Sequence, residues 1–424
     1  MKIILLWLCL SASVSAGERQ TIDLSKQVTL TELIKAGLTG SPSIAIKHAE
    51  WKAIVERYPQ AKALQDPILR YDYFGESVET RVGPQVQRLM ISQSFPFPGT
   101  LKTKAKLAAT DIAIKQLEYD LAVREFIVKL KVIYYEIVYL QSAIEISKQN
   151  QQLLSHFAKE AKTEYAKGSL NLNSLLKAET QAAQIQYDIV LLTELKTLEL
   201  SKLYLLVNLS EKSKLGSFKM DALRLQKRSY KDYEKLAQNN RQEIKVATLK
   251  LEKAEKKIKL ATLKTRPKFT LFSSYVETDE AEMPVADSGK DPWTVGIGFT
   301  IPIWYSKNKA VRREAKYMRQ KAANEKVLVE NKTSLQLKTL LFKLRNSRRL
   351  ITLYDKTLIP HAKHALDISE NKEKSAKKDL SQLVETQGIW LNFNLARLRA
   401  VIDYQQTLAK LESLTAVSLT KERK

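Results

Sequence analysis

Trp293-Thr294-Val295-Gly296-Ile297-Gly298-Phe299-Thr300-Ile301, running into Pro302-Ile303-Trp304-Tyr305-Ser306, carries the pattern on which the fold turns. Side chains of an extended strand alternate between its two faces, so Trp293, Val295, Ile297, Phe299 and Ile301 share one side and Thr or Gly fill the other. Large apolar groups opposite small polar ones fit a strand with lipid outside and water inside. A half-buried sheet of a soluble protein would give the same alternation, so this stretch alone leaves both readings open. Its length is close to the roughly 9–11 residues that cross an outer-membrane bilayer when tilted. A proline then ends the strand.

The same arrangement occurs earlier in the chain. Phe95-Pro96-Phe97-Pro98-Gly99-Thr100 lies over Ile301-Pro302-Ile303-Trp304-Tyr305-Ser306, and each segment runs into a long Lys/Arg-rich stretch. Before it, Leu89, Ile91 and Phe95 alternate with Arg88, Ser92 and Ser94, although Gln93 breaks the apolar side. Further upstream, Ile44 and the breaker Pro67 match Ile244 and Pro267, and both prolines open a strand: Ile68 to Phe74 in one copy, Lys268 to Tyr275 in the other. Downstream, Asn171-Leu172-Asn173-Ser174-Leu175-Leu176 lies over Asp379-Leu380-Ser381-Gln382-Leu383-Val384. An offset that drifts slightly through loops is what a duplicated unit leaves behind.

Between these markers the chain is helical. No proline or glycine interrupts it from Thr100 to Ala166, and only Pro360 does so from Ser306 to Ser375. A continuous helix over the first stretch would reach about 100 Å at about 1.5 Å per residue, and Thr100 and Ser306 stand where a hydroxyl could cap its first amides. Pro360 should interrupt the second stretch, since it removes a backbone donor and crowds the preceding turn. A shorter helix shows how neighbours pack. Ile244, Ala247, Leu251, Ala254, Ile258 and Ala261 step alternately by three and four, a heptad seam. Lys245, Lys250, Glu252, Lys253, Glu255, Lys256 and Lys257 form its charged outer face.

Composition bounds the compartment. Lys2, the apolar run Ile3 to Leu10 and the small-residue site Val14-Ser15-Ala16 read as a secretory signal over residues 1–16. The single cysteine, Cys9, falls inside it, so the mature chain is expected to hold no thiol, disulfide or cysteine-bound metal. Beyond the signal no run of about 18 apolar residues occurs, which excludes a transmembrane helix but not a barrel. A formal charge of +24 would suggest nucleic acid for a cytoplasmic protein; with a secretory signal, the basic residues read as solvated faces of long helices.

The domain reading follows: a first unit over 17–212 (strand pair 67–96, helical hairpin 100–212), a linker over 213–230, a second unit over 231–417 (strand pair 267–302, hairpin 306–417), and a basic tail over 418–424. Four strands cannot close a barrel, and an open edge in lipid leaves backbone groups unpaired, so membrane strands require several chains. The connection from Glu277 to Pro292 carries Glu277, Asp279, Glu280, Glu282, Asp287 and Asp291 against Lys290. So acidic a loop in so basic a chain implies different surroundings for the strand tips.

Taken together, the opening Val28-Thr29-Leu30-Thr31-Glu32-Leu33-Ile34 with Ser41-Pro42, the two proline-closed strand ends and the hairpin turns resemble the TolC family of outer-membrane efflux channels, over nearly all of the mature chain. The resemblance implies a mainly α fold with a small β part: long antiparallel hairpins forming an α-barrel through the periplasm, and four strands per chain entering a trimeric twelve-stranded transmembrane β-barrel. It implies a homotrimer in outer-membrane lipid, passive, without cofactor, working with a periplasmic adaptor protein and an inner-membrane transporter. The Phe95-to-Gly99 strand end is similar to members that serve resistance-nodulation-division pumps. Adaptor-docking tips would be Lys167, Gly168, Ser169 and Leu170 in the first hairpin and Ala376, Lys377, Lys378 and Asp379 in the second, where Ala376 replaces the usual glycine. Gln382 and Glu385 would stand at the periplasmic gate.

No catalytic set appears. His361 and His364 are spaced to hold a metal loosely, but no Cys or Asp/Glu-His motif completes a site, and no glycine loop suits phosphate, so the chain is not expected to be an enzyme. The competing reading is a periplasmic coiled-coil adaptor, which predicts one hairpin between two β-rich half-motifs.

Overall fold

A computed structural model describes residues 23–220, 222–223, 225–226, 228–373 and 380–418. The expected signal segment 1–16 lies outside the described residues. The chain divides into two compact units, each built from both halves of the sequence: Met1–Ile46, Ala122–Arg241 and Thr333–Lys424 form one, Lys47–Leu121 and Gln242–Lys332 the other.

The first unit opens with β1 (Asp23–Val28), which pairs in parallel with β4 (Lys214–Phe218), a strand lying within the expected linker. Short and polar, neither has the alternation that would have announced it. Tyr134, on the long helix α4 (Thr100–Ala166), locks the pair from beneath: its hydroxyl lies 2.7 Å from the Lys219 carbonyl, and its ring packs on Phe218. Between these strands in sequence come α1 (Leu30–Gly40), begun by a Thr29/Glu32 capping box, and α5 (Leu172–Val207), which ends on Asn208 in the left-handed conformation.

A core of Leu337, Leu341, Leu344 and Ile351 from α8 (Tyr305–Leu353) meets Val401, Tyr404, Leu408 and Leu411 from α10 (Leu380–Thr415), with Tyr233 of α6 (Tyr230–Asn240) against them. Steps of three, four and seven make this a coiled-coil seam. The buried Tyr404 hydroxyl accepts a hydrogen bond from the Gln226 amide at 2.6 Å. On another face of α10, Arg399 donates to Glu136 at 2.8 Å and to Asp403 at 2.8 Å, over the Tyr139 ring. Burial opposes the guanidinium's charge, but the two carboxylates outweigh it and raise its pKa above the ordinary value.

Pro360 behaves as its chemistry requires. The helix passes into a π-turn over Tyr354–Leu358 and resumes as α9 (Ile359–Glu373). Because proline offers no N–H to the carbonyl four residues back, one inserted residue lets the chain continue without breaking.

In the second unit, α2 (Pro42–Val55) and α3 (Arg57–Lys62) lead to β2 (Ile68–Tyr73) and β3 (Gln85–Phe95), and α7 (Gln242–Lys264) leads to β5 (Phe269–Thr278) and β6 (Trp293–Phe299). The α7 seam forms as read, with Ile244, Ala247, Ala254 and Ala261 buried. Two of its assigned outer lysines do not face outward: Lys253 pairs with Asp111, and Lys256 donates to the Thr110 hydroxyl at 2.7 Å. Long lysine stems let charges at the seam's edge reach across to α4. The expected hydroxyl caps are also corrected. Thr100 and Ser306 lie inside the first turns of α4 and α8, because the turns before them, including Gly99 at φ +86, already set the helix starts.

In the first unit, Gly37 packs against the buried Phe126 ring, and a Cβ at Gly37 would lie 2.2 Å from its Cζ. Gly37→Ala is therefore expected to cost about 1–3 kcal/mol through overpacking. It should lower the thermal midpoint of helical circular dichroism, and trimming Phe126 to Leu in the same chain should recover part of the loss.

Candidate transmembrane sheet and hairpin ends

The four strands form one antiparallel sheet in the order β2-β3-β5-β6. Register decides which residues share a face. Along one face, Tyr71, Leu89, Tyr275 and Trp293 stand in a row; then Leu69, Ile91, Ser273 and Val295; then Gln93, Leu271 and Ile297; then Phe95, Phe269 and Phe299. The face is apolar yet open, with Trp293 72%, Val295 62% and Phe299 63% exposed. Aromatic residues close it at both ends. Gln93, the polar intruder, turns its amide into a hydrogen bond to the Gln65 carbonyl at 2.8 Å.

The opposite face carries Arg70, Met90, Ser274 and Thr294 in one row, Ile68, Ser92, Phe272 and Gly296 in the next, and Ser94, Thr270 and Gly298 in a third, so it is smaller and more polar but holds Met90, Ile68 and Phe272. Ser274 and Thr294 hydroxyls meet at 2.7 Å. Glycine at 296 has a steric cause, since a Cβ there would fall 2.3 Å from the Phe272 ring. Among the described residues, both outer strands, β2 and β6, have one side with no strand partner.

At the turn end of the sheet, the loop after β2 is tied to the acidic loop after β5. The Asp279 amide donates to the Pro84 carbonyl at 2.9 Å and the Gly289 amide to the Val82 carbonyl at 2.8 Å. Gly83, at φ +121, lies so close to Asp279 that no side chain fits. The six acids thus divide. Asp291 accepts from the Thr278 amide at 2.8 Å and from the Tyr275 hydroxyl, Glu277 accepts from Gln87, and Asp287 pairs with Lys290 and Arg81. Asp279, Glu280 and Glu282 remain at the exposed tip.

In the first unit, the end of the α4–α5 hairpin has a definite backbone. Gly168, at φ +74, donates to the Tyr165 carbonyl and Ser169 to the Glu164 carbonyl, each at 2.9 Å, which is the Schellman pattern that favours glycine. Asn171 then caps α5 through the Ser174 amide at 2.8 Å. Lys167, Gly168 and Ser169 are exposed, whereas Leu170 packs against a core of Phe157, Leu175, Ala178, Leu380, Leu383 and Val384. Leu170 is thus half a packing residue. Sequence reasoning passed over Leu172 and Leu176, about half exposed beside the turn, whose signal was two leucines on the solvent side of the capped first turn.

Of the second turn, Ala376, Lys377, Lys378 and Asp379 lie outside the described residues. Gln382 and Glu385 are both exposed on the first turns of α10. Glu385 is not alone: Lys177 of α5 donates to it at 2.6 Å, and these two residues occupy equivalent places in the two halves, at the spacing that relates the hairpin turns. Beneath them, Gln387 donates to Asn150 in a buried polar pair within the apolar core. His361 and His364 gain no companions; among the described residues no group of three His, Cys, Asp or Glu could hold a metal, and no helix is long and apolar enough to cross a membrane.

No protein-family model matches the sequence, and no curated relative matches it. Solved structures do. The outer membrane protein VceC of Vibrio cholerae is 18% identical, with 92% of this chain and 96% of VceC covered and a TM-score of 0.74. The outer membrane channel MtrE of Neisseria gonorrhoeae, in its open state, is 15% identical over 92% of this chain and 89% of its own, at 0.74. The CmeC outer membrane channel of Campylobacter jejuni is 13% identical over 93% and 87%, at 0.73. This chain has their fold, strands and hairpins included.

The Lys177–Glu385 pair joins two helices across an exposed surface. Charge removal at both positions, compared with each single Gln substitution, should give a coupling of about 0.2–1 kcal/mol that shrinks in high salt. A thermal double-mutant cycle measures it, and a coupling of zero would leave Glu385 as an unengaged surface charge.

Proposed function

We propose that three copies of this chain close a twelve-stranded barrel in the outer membrane of a Gram-negative bacterium. Together they would form the passive channel of a tripartite efflux pump. The observation that carries this reading is the sheet: an exposed apolar face, rimmed by aromatic residues, on strands whose outer edges are open. In water such a face would aggregate, and in lipid the edges would each forfeit a row of hydrogen bonds. Closure with further copies removes both penalties.

Dimensions support it. With 11 and 10 residues, β3 and β5 would rise about 35 Å at about 3.4 Å per residue, and about 27 Å when tilted by about 40°, close to an apolar band of about 25 Å. Aromatic rows at both ends of the face fit the girdles of such barrels. On α5, the exposed Tyr187, Leu191, Leu195, Leu198 and Leu205 form a helical stripe that neighbouring copies would cover.

The hairpin ends would engage a periplasmic adaptor, which couples the channel to an inner-membrane transporter of the resistance-nodulation-division type. Lys167, Gly168, Ser169 and Leu172 offer an exposed, rigid turn for it, with Leu170 setting the turn from inside; Ala376, Lys377, Lys378 and Asp379 would serve in the second hairpin. Gln382 and Glu385 would line the periplasmic entrance, with the Lys177 pair holding α5 and α10 together when the entrance is narrow. The chain itself would supply no chemistry, and energy would come from the transporter.

Two experiments test the reading. Val295→Arg places a charge on the lipid face at a cost of about 2–4 kcal/mol near the midplane; it should remove heat-modifiable trimers from the outer-membrane fraction, while Thr294→Arg on the opposite face should be far better tolerated. Equal tolerance of both would mark a soluble sheet. Separately, Ser169→Glu with Leu172→Glu should abolish efflux, read as restored drug or metal susceptibility, with trimers intact. Loss of the trimers would make the turn merely structural.

A further inference from the structure

The face of the sheet opposite the apolar one is the inner wall of the barrel in the proposed assembly, and most of it is uncharged. From the row of Ser94, Thr270 and Gly298 to the row of Ile68, Ser92, Phe272 and Gly296, no side chain carries a charge. The charge gathers in the next two rows toward the loops: Arg70 beside Met90, Ser274 and Thr294, then Asp72 and Arg88 beside Val276. Two guanidiniums therefore stand against one carboxylate in each copy.

Asp72 is already committed, since Arg70 donates to it at 2.7 Å. Arg88 is not so balanced. Its side chain makes no ion pair or hydrogen bond among the described residues, and its guanidinium lies over the Phe74 ring, 5.5 Å from the ring centre. Stacking on an aromatic face holds a guanidinium against the wall and leaves its N–H edge free to meet a planar oxyanion. Arg88 also sits on β3, which is paired on both sides, so its backbone is held by two neighbouring strands.

We propose that Arg88 sets the charge preference of the channel: with Arg70 it forms a cationic belt inside the barrel that favours anionic solutes, those bearing carboxylate or phosphate groups, over cations. The inference rests on the reading of the sheet as membrane-spanning, with this face toward the water-filled interior. Three copies repeat the belt around one axis. Lipid outside makes the wall a low-dielectric layer, and such a wall focuses the field of its charges into the water it encloses. The loop-tip acids Asp279, Glu280 and Glu282 oppose the belt, but they are exposed, and salt screens exposed charges beyond about 8 Å. At the proposed periplasmic entrance, Glu385 is balanced by Lys177 at 2.6 Å. The unbalanced charge that a solute meets within the barrel wall is that of Arg88.

Reversal potentials of the full-length trimer in planar lipid bilayers, under a gradient of dilute potassium chloride, test this. The wild type should pass chloride in preference to potassium, and the preference should shrink as salt rises and the screening length contracts. Arg88→Gln should lower the chloride-to-potassium permeability ratio by about twofold or more, while Arg88→Lys, which keeps the charge, should hold it above the Arg88→Gln value. Asp72→Asn, which leaves Arg70 unpaired, should raise the ratio, and it decides the matter if Arg88→Gln fails to assemble. Glu280→Gln with Glu282→Gln should move the ratio less than Arg88→Gln does. A wild type that prefers potassium, a ratio unmoved by Arg88→Gln or Asp72→Asn, a larger response to the loop-tip acids, or an Arg88→Lys channel that matches Arg88→Gln would overturn the proposal. Any of these results in conducting outer-membrane trimers leaves the membrane reading standing. A wild-type chain that is soluble, monomeric and without conductance overturns that reading and the proposal with it.

Discussion

Backbone hydrogen bonding at the two outer edges of the β2-β3-β5-β6 sheet is the constraint to which the other features answer. Every N–H and C=O on the open sides of β2 and β6 must find a partner, and inside hydrocarbon neither water nor an isolated chain can supply one. The sheet cannot meet this demand by curling on itself, since four strands are too few to enclose even a filled interior. Its apolar face removes the alternative of staying in water. Under the proposed membrane reading, the edges and the face together ask for the same solution, a ring of copies, and Gly296 of β6 leaves room for the Phe272 ring on the opposite face.

Length elsewhere in the molecule follows the same logic. In the proposed assembly long helices give neighbouring copies more surface to align on than short ones could, and α4 and α8 run for 67 and 49 residues. The α7 seam alternates large and small residues, and the long helices are pinned where polar groups meet: Tyr134 beneath the β1–β4 pair, the half-buried Arg399 between Glu136 and Asp403, Gln387 against Asn150. Polar links of this kind add little net stability but fix register along helices that could otherwise slide. The π-turn before Pro360 is a local concession of the same kind, keeping the helix on course past a residue that cannot bond.

Much of this was legible in the chain. The proline-closed strands, the uninterrupted run from Thr100 to Ala166 and the alanine seam all depend on local pattern, which a linear sequence records directly. Where reading failed, the cause was the geometry of an adjacent turn or a partner distant in sequence. Thr100 and Ser306 resemble caps, but the tight turns before them had already set the helix starts. Lys253 and Lys256 read as solvated until α4 lay beside them. Leu170 belongs in part to the tip core, and β1 and β4 were invisible because each is a strand only by virtue of the other.

The sequence by itself determined the four strands of the antiparallel sheet, the long helices and which strand face is apolar, because these depend on residue type and spacing alone. Only the tertiary structure decided the strand order, the division of the acidic loop into bonded and exposed carboxylates, and the meeting of Glu385 with Lys177. Each of these joins residues far apart in the chain, and such pairings arise from packing rather than from any local preference a sequence can display.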